Sequence, residues 1–184
     1  MKNMLKVLAI AGVATMALGA TSASANFVQD GSFENDLGLG TNAWGVYQTV
    51  GAWDAVSGTG IEIQRGNVGG TTAIDGDQKV ELDSHGNGPT NSRMEQSIHL
   101  DQGSYEFSFE YFARTGDAGS NGIGYSIQPG DLVNDHVTGT NGGGWQLITE
   151  LFAIGAGGAD VTLAFWADGK DDTLGGYIDD VRIS

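Results

Sequence analysis

Apolar and polar residues in this chain alternate with a period of two far more often than they recur every three or four, and that pattern predicts strands. The clearest case is 105–113, where Tyr105, Phe107, Phe109 and Tyr111 alternate with Glu106, Ser108 and Glu110, giving one apolar and one wet face. Residues 160–166 repeat the logic, with Val161, Leu163 and Phe165 on the inner face. Further strands are predicted over 44–50, 60–65, 78–83, 94–100, 122–127, 146–154 and 176–183. The breaks between them are turn chemistry, such as Asp75-Gly76, Asn87-Gly88, Asp168-Gly169 and the run Asn141-Gly142-Gly143-Gly144. About nine short strands at this spacing predict two packed antiparallel sheets in a single all-β domain covering 26–184. Two longer loops, 68–74 and 131–144, are places where a rigid sandwich carries binding groups.

The first 25 residues depart from this pattern. Lys2 and Lys6 precede an apolar run over 7–19, and Ala23-Ser24-Ala25 follows with the small residues that a signal peptidase reads. The run is far shorter than the roughly 20 residues of a membrane-spanning helix. A cleaved signal peptide over 1–25 is expected, leaving a secreted protein, extracellular or periplasmic and bacterial in character, with no membrane insertion after cleavage.

Charge narrows the partners. Lys2 and Lys6 leave with the leader, so eight basic residues become six against 23 acidic ones and the net charge goes from −15 to −17. Such a surface repels phosphate backbones, so nucleic acid is not an expected partner. It suits a hard cation that takes oxygen ligands. The chain has no cysteine, which removes disulfides, thiolate metal sites and thiol catalysis together. Its histidines, His85, His99 and His136, lack a close spacing such as His-x-x-x-His, so a histidine-rich zinc site is not expected.

Two segments at opposite ends are distinctive: Asp30-Gly31-Ser32-Phe33-Glu34 near the start, and Gly176-Tyr177-Ile178-Asp179-Asp180-Val181 at the end. Between them stand Gly60-Ile61-Glu62-Ile63, the segment Asp75-Gly76-Asp77-Gln78-Lys79-Val80-Glu81-Leu82-Asp83, and Gly103-Ser104-Tyr105-Glu106-Phe107-Ser108-Phe109. Together they resemble the galactose-binding-like jelly-roll superfamily, specifically carbohydrate-binding module families 4 and 9 and the secreted proteins of domain-of-unknown-function family 642. The resemblance implies a two-sheet jelly-roll sandwich with adjacent termini and a structural calcium ion there. Carried over, its ligands are Glu34 with Asp179 or Asp180, and the carbonyl around Gly31. One of two adjacent strand aspartates must also face the core side, where an uncompensated carboxylate is costly, so a cation, hydrogen bonds such as those of loop amides, or protonation must meet it.

Catalytic readings find little support. Glu81-Leu82-Asp83-Ser84-His85 has alternating carboxylates but lacks the third that glycosidase strands use, and no Gly-x-Ser-x-Gly elbow is present. The protein is therefore expected not to be an enzyme. Sugar recognition by sandwich modules relies on exposed rings, and the candidates are Phe112, Trp145, Trp166, Tyr125 and Trp44, while Trp53 is read as core. Phe112 and Trp166 are singled out because alternation turns them away from Phe109 and Phe165. The expected function is a carbohydrate-binding-like module for an extracellular polysaccharide or glycan. The alternative is a cell-surface or extracellular-matrix protein with protein partners or self-assembly through a strand edge. That alternative gains weight because no sorting tail or catalytic domain accompanies the sandwich.

Overall fold

The computed structural model describes residues 25–184, so the expected signal peptide lies almost wholly outside the described residues. Twelve strands form two six-stranded sheets, and every strand pair is antiparallel. In chain order they are β1 (Trp44–Tyr47), β2 (Thr49–Val50), β3 (Trp53–Ser57), β4 (Ile61–Arg65), β5 (Gln78–Glu81) and β6 (Arg93–Leu100). There follow β7 (Gly103–Phe112), β8 (Ile123–Gln128), β9 (Val133–Val137), β10 (Gln146–Ile154), β11 (Ala159–Ala167) and β12 (Tyr177–Ile183). Sheet I runs β1-β4-β5-β12-β7-β10 and sheet II runs β2-β3-β6-β11-β8-β9. This is the expected all-β jelly-roll sandwich.

The inner faces hold the alternating apolar residues. Phe107, Phe109 and Phe165 have no exposed surface, and Trp53 is buried beside them, as expected. Phe109 meets Phe165 and Tyr125 edge-on at centroid distances of 5.0 Å, a geometry that adds to plain area burial. Tyr125 is thus a correction. It is 3% exposed and shares the inner face with its strand partner Phe165, so its ring belongs to the core and is not offered to a ligand.

The predicted strand over 44–50 is in fact two. β1 pairs with β4 in sheet I, and β2 pairs with β3 in sheet II, so the chain changes sheets at Gln48. The predicted loop 131–144 contains β9, whose central Asn134, Asp135 and His136 are exposed on an edge and carry no apolar alternation. Loop 68–74 contains only a single 3-10 turn at Val68–Gly70.

The two ends of the domain lie side by side. Phe27 donates to the carbonyl of Ile183, and Val181 donates to that of Gly31, both at 2.9 Å. A side chain at position 31 would bring its Cβ within 2.0 Å of the Val181 carbonyl oxygen, so glycine is required for this approach.

Candidate functional site

The outer face of sheet I follows from register. Glu62 of β4 stands opposite Glu81 of β5, and Glu81 opposite Tyr177 of β12. Tyr177 pairs with Phe112 at the end of β7, and Trp145 precedes β10 beside it. One row across the sheet therefore reads Glu62, Glu81, Tyr177, Phe112 and Trp145. The next row contains Trp44, Gln64, Lys79, Asp179 and Glu110, because Trp44 is opposite Gln64, Gln64 opposite Lys79 and Asp179 opposite Glu110.

These outward groups are not in solvent. Glu62, Lys79, Glu81, Tyr177 and Asp179 are all 0% exposed, and Gln64 is 1% exposed. They are covered by the β4–β5 loop. The Lys79 ammonium donates to the carbonyls of Val68 and Thr71 at 3.0 Å and to that of Gly66 at 3.4 Å. On the far side, Trp145 Nε1 donates to the Thr72 carbonyl at 3.1 Å. Gly69 sits directly over the Tyr177 hydroxyl. Its φ is +67°, and a Cβ there would lie 1.9 Å from that oxygen. Burial pushes the Lys79 ammonium down to about 8, while the charge of Glu81 opposes the shift.

Beneath this cover lies a polar chain. Gln64 Nε2 donates to Glu62 Oε1 at 2.8 Å and to Glu81 Oε2 at 2.5 Å. Glu62 Oε2 accepts the backbone N–H of His85, and His85 Nδ1 is 2.8 Å from the same oxygen. Arg114 pairs with Glu81 Oε1 and donates to the Thr173 carbonyl at 3.2 Å. Asp83 holds the segment carrying Thr173 by accepting the N–H groups of Asp172 and Leu174. Burial pushes Glu81 up to about 9, with Arg114 pulling it down and Glu62 adding to the rise. Two polar atoms in this region are buried and have no partner, Gln64 Oε1 and the Tyr177 hydroxyl.

The sequence-expected rings divide between the faces. Trp44 is 48% exposed on β1, with its ring 4.7 Å from that of His85. Phe112 and Trp145 are half-buried neighbours at 5.5 Å, and Phe112 also lies 6.1 Å from Tyr177. These three share the outer face of sheet I, on either side of the loop. Trp166 is on the outer face of sheet II, lying over Gly124 with the Arg93 guanidinium 4.8 Å above its ring. It does not join the other three.

The expected calcium ligands lie near the paired termini, each engaged by N–H donors. Glu34 Oε1 accepts the N–H groups of Asp77 and Gln78. Asp179 faces away from the core and takes up three amides, those of Ile74, Asp75 and Asp180. Asp180 is paired with Arg182, and the Gly31 carbonyl accepts the Val181 N–H. Calcium takes roughly six to eight oxygen ligands, and a set already engaged by N–H donors does not fit that need as arranged. Among the described residues, the group of three or more ligating side chains whose atoms lie within 4.8 Å of one another is Glu62, Glu81 and His85.

Sequence reasoning missed Glu62, Gln64, Lys79, Arg114 and Tyr177 as site residues. The available signal was Ile61-Glu62-Ile63-Gln64, whose alternation turns a carboxylate and an amide away from the core.

No family model matches the chain, and no curated protein matches it. Solved structures do. The carbohydrate-binding module TmCBM61, solved in complex with beta-1,4-galactotriose, is 20% identical, with 88% of this chain and 99% of that one covered and a TM-score of 0.52. The K2 cleaved adhesin domain of Lys-gingipain is 17% identical, with 88% and 99% covered and a TM-score of 0.56. At these identities the likeness is one of fold, and on fold the chain stands with the jelly-roll sandwiches that the paired motifs at its two ends implied.

Proposed function

We propose that this protein is a secreted, non-catalytic glycan-binding domain that receives a polysaccharide on the outer face of sheet I. One observation carries the reading: Trp44, Phe112 and Trp145 are gathered on the same outer face, on either side of the β4–β5 loop. Sugar rings present apolar C–H faces and a rim of hydroxyls, so they suit flat aromatic surfaces set beside amides, carboxylates and carbonyls. The β4–β5 loop lies between the two ring positions, over the buried polar groups.

Catalysis is not part of this reading. A general acid must reach the substrate oxygen, and both buried carboxylates are held by Gln64, His85 and Arg114 beneath the loop. The purified protein is tested on a polysaccharide and glycan array, with and without chelator. Saturable binding to one glycan class is expected, and failure of folded protein to bind any glycan contradicts the reading.

A second reading, self-association through a strand edge, is favoured by the edge strand β10. Leu147 and Leu151 on its outer face are 63% and 77% exposed. Sedimentation velocity over a concentration series distinguishes the two. Self-assembly abolished by Leu151→Glu supports this second reading, and a monomer at all concentrations removes it.

A further inference from the structure

We propose that Glu62, Glu81 and His85, with the side-chain oxygen of Gln64, form a binding site for one divalent cation of the zinc class. The proposal is independent of glycan recognition.

Like charges directly opposite on neighbouring strands repel, and Glu62 and Glu81 are such a pair with no exposed surface. Burying two carboxylates is costly unless cations and hydrogen bonds answer them. Arg114 answers one oxygen of Glu81, and the His85 imidazole and backbone N–H answer one oxygen of Glu62. The remaining two oxygens, Glu62 Oε1 and Glu81 Oε2, face each other across a single group, the Gln64 amide.

That amide shows the unresolved need. With Nε2 between the carboxylates, its Oε1 is buried without any partner. A half-turn of the amide places Oε1 toward the same two oxygens. The result is a ring of acceptors that is unfavourable alone and favourable around a cation. Ligating atoms of Glu62, Glu81 and His85 already lie within 4.8 Å of one another, so ligand closure needs only side-chain motion.

The donor set names the class of ion. One imidazole nitrogen with carboxylate and amide oxygens suits zinc and its first-row neighbours, whereas calcium takes oxygen alone. An entry path exists because the His85 side chain is 38% exposed at the rim, with the Trp44 ring tilted against it.

The test is isothermal titration of the purified protein with Zn²⁺ alone, and Co²⁺ absorption as an independent readout of coordination. The expected result is one equivalent bound, weakened at least about tenfold in both His85→Ala and Glu62→Gln. The double variant His99→Ala/His136→Ala removes the exposed imidazoles beside Asp160 and Asp135 and is expected to bind as the parent does. His85→Ala alters a rim residue, and its metal-free thermal melt checks that it folds. No zinc binding by the parent, binding unaffected by His85→Ala, or binding lost only in the double variant overturns the proposal.

Discussion

The outer faces of the two sheets handle charge in opposite ways. On sheet II, His99 pairs with Asp160 and Arg93 with Glu95, and these side chains remain in or near solvent, between 31% and 80% exposed. On sheet I, Glu62, Glu81, Lys79 and Asp179 have no exposed surface at all. Exposed pairs cost and contribute little, while buried ones need every oxygen and proton matched. Sheet II forms its six strands without burying these charged pairs on its outer face. Under the proposed function, this difference is the reason for placing recognition on sheet I and treating sheet II as a solvated wall.

The contrast breaks most visibly at arginine. Arg114→Ala leaves Glu81 buried without its guanidinium, and chemical denaturation is expected to show a loss of about 3 to 5 kcal/mol. Arg93→Ala on sheet II removes an exposed pair and a contact with Trp166, and is expected to cost about 1 kcal/mol or less. Equal losses in the two variants would erase the distinction between the faces.

Much of the fold was legible because alternation is a local signal. Residues 105–113 and 160–166 were read with their inner and outer faces correctly assigned. The chain's change of sheet at Gln48 was not legible, since one continuous β-prone run reads the same whether or not it crosses the sandwich. β9 was hidden because an edge strand with exposed Asn134, Asp135 and His136 has the composition of a loop. The site divides along the same line. Trp44, Phe112 and Trp145 were read as candidate rings, and register puts them on the outer face of sheet I. Tyr125 was misplaced although Ile123, Tyr125 and Ile127 alternate with Gly124 and Ser126, so its inward parity was open to the same local reading. The buried polar chain was invisible for a stronger reason. Glu62, Gln64, Lys79 and Glu81 alternate as any wet strand face does, and only the folded loop 66–74, with Arg114 and His85 arriving from distant segments, makes that face dry.

A smaller effect sharpens the comparison through pH. Burial pushes Asp179 up from 3.8 to about 7, against the pull of three amide N–H groups. Between these values the folded protein holds a proton that the unfolded chain has lost. Stability contributed by this group is therefore full below 3.8 and is lost as pH rises through about 7, by at most about 1.4 kcal/mol per pH unit. Denaturation midpoints from pH 4 to 8 check this, and Asp179→Asn is expected to flatten the slope.

The smallest expected effect concerns calcium at the termini. With Glu34, Asp179 and Asp180 occupied by N–H donors, millimolar Ca²⁺ is expected to move the thermal midpoint by less than about 1 °C, since a ligand stabilises only in proportion to its affinity for the folded state. A calcium-dependent rise of several degrees would show that these side chains rearrange around the ion.

The most direct test of the account places a glycan selected from the array against the two faces. Isothermal titration compares Trp145→Ala and Trp44→Ala on sheet I with Trp166→Ala on sheet II. The account predicts at least about tenfold weaker binding in both sheet I variants and unchanged binding in the sheet II variant. Binding that survives both sheet I substitutions and fails with Trp166→Ala would contradict it, and would place recognition on the opposite face of the sandwich.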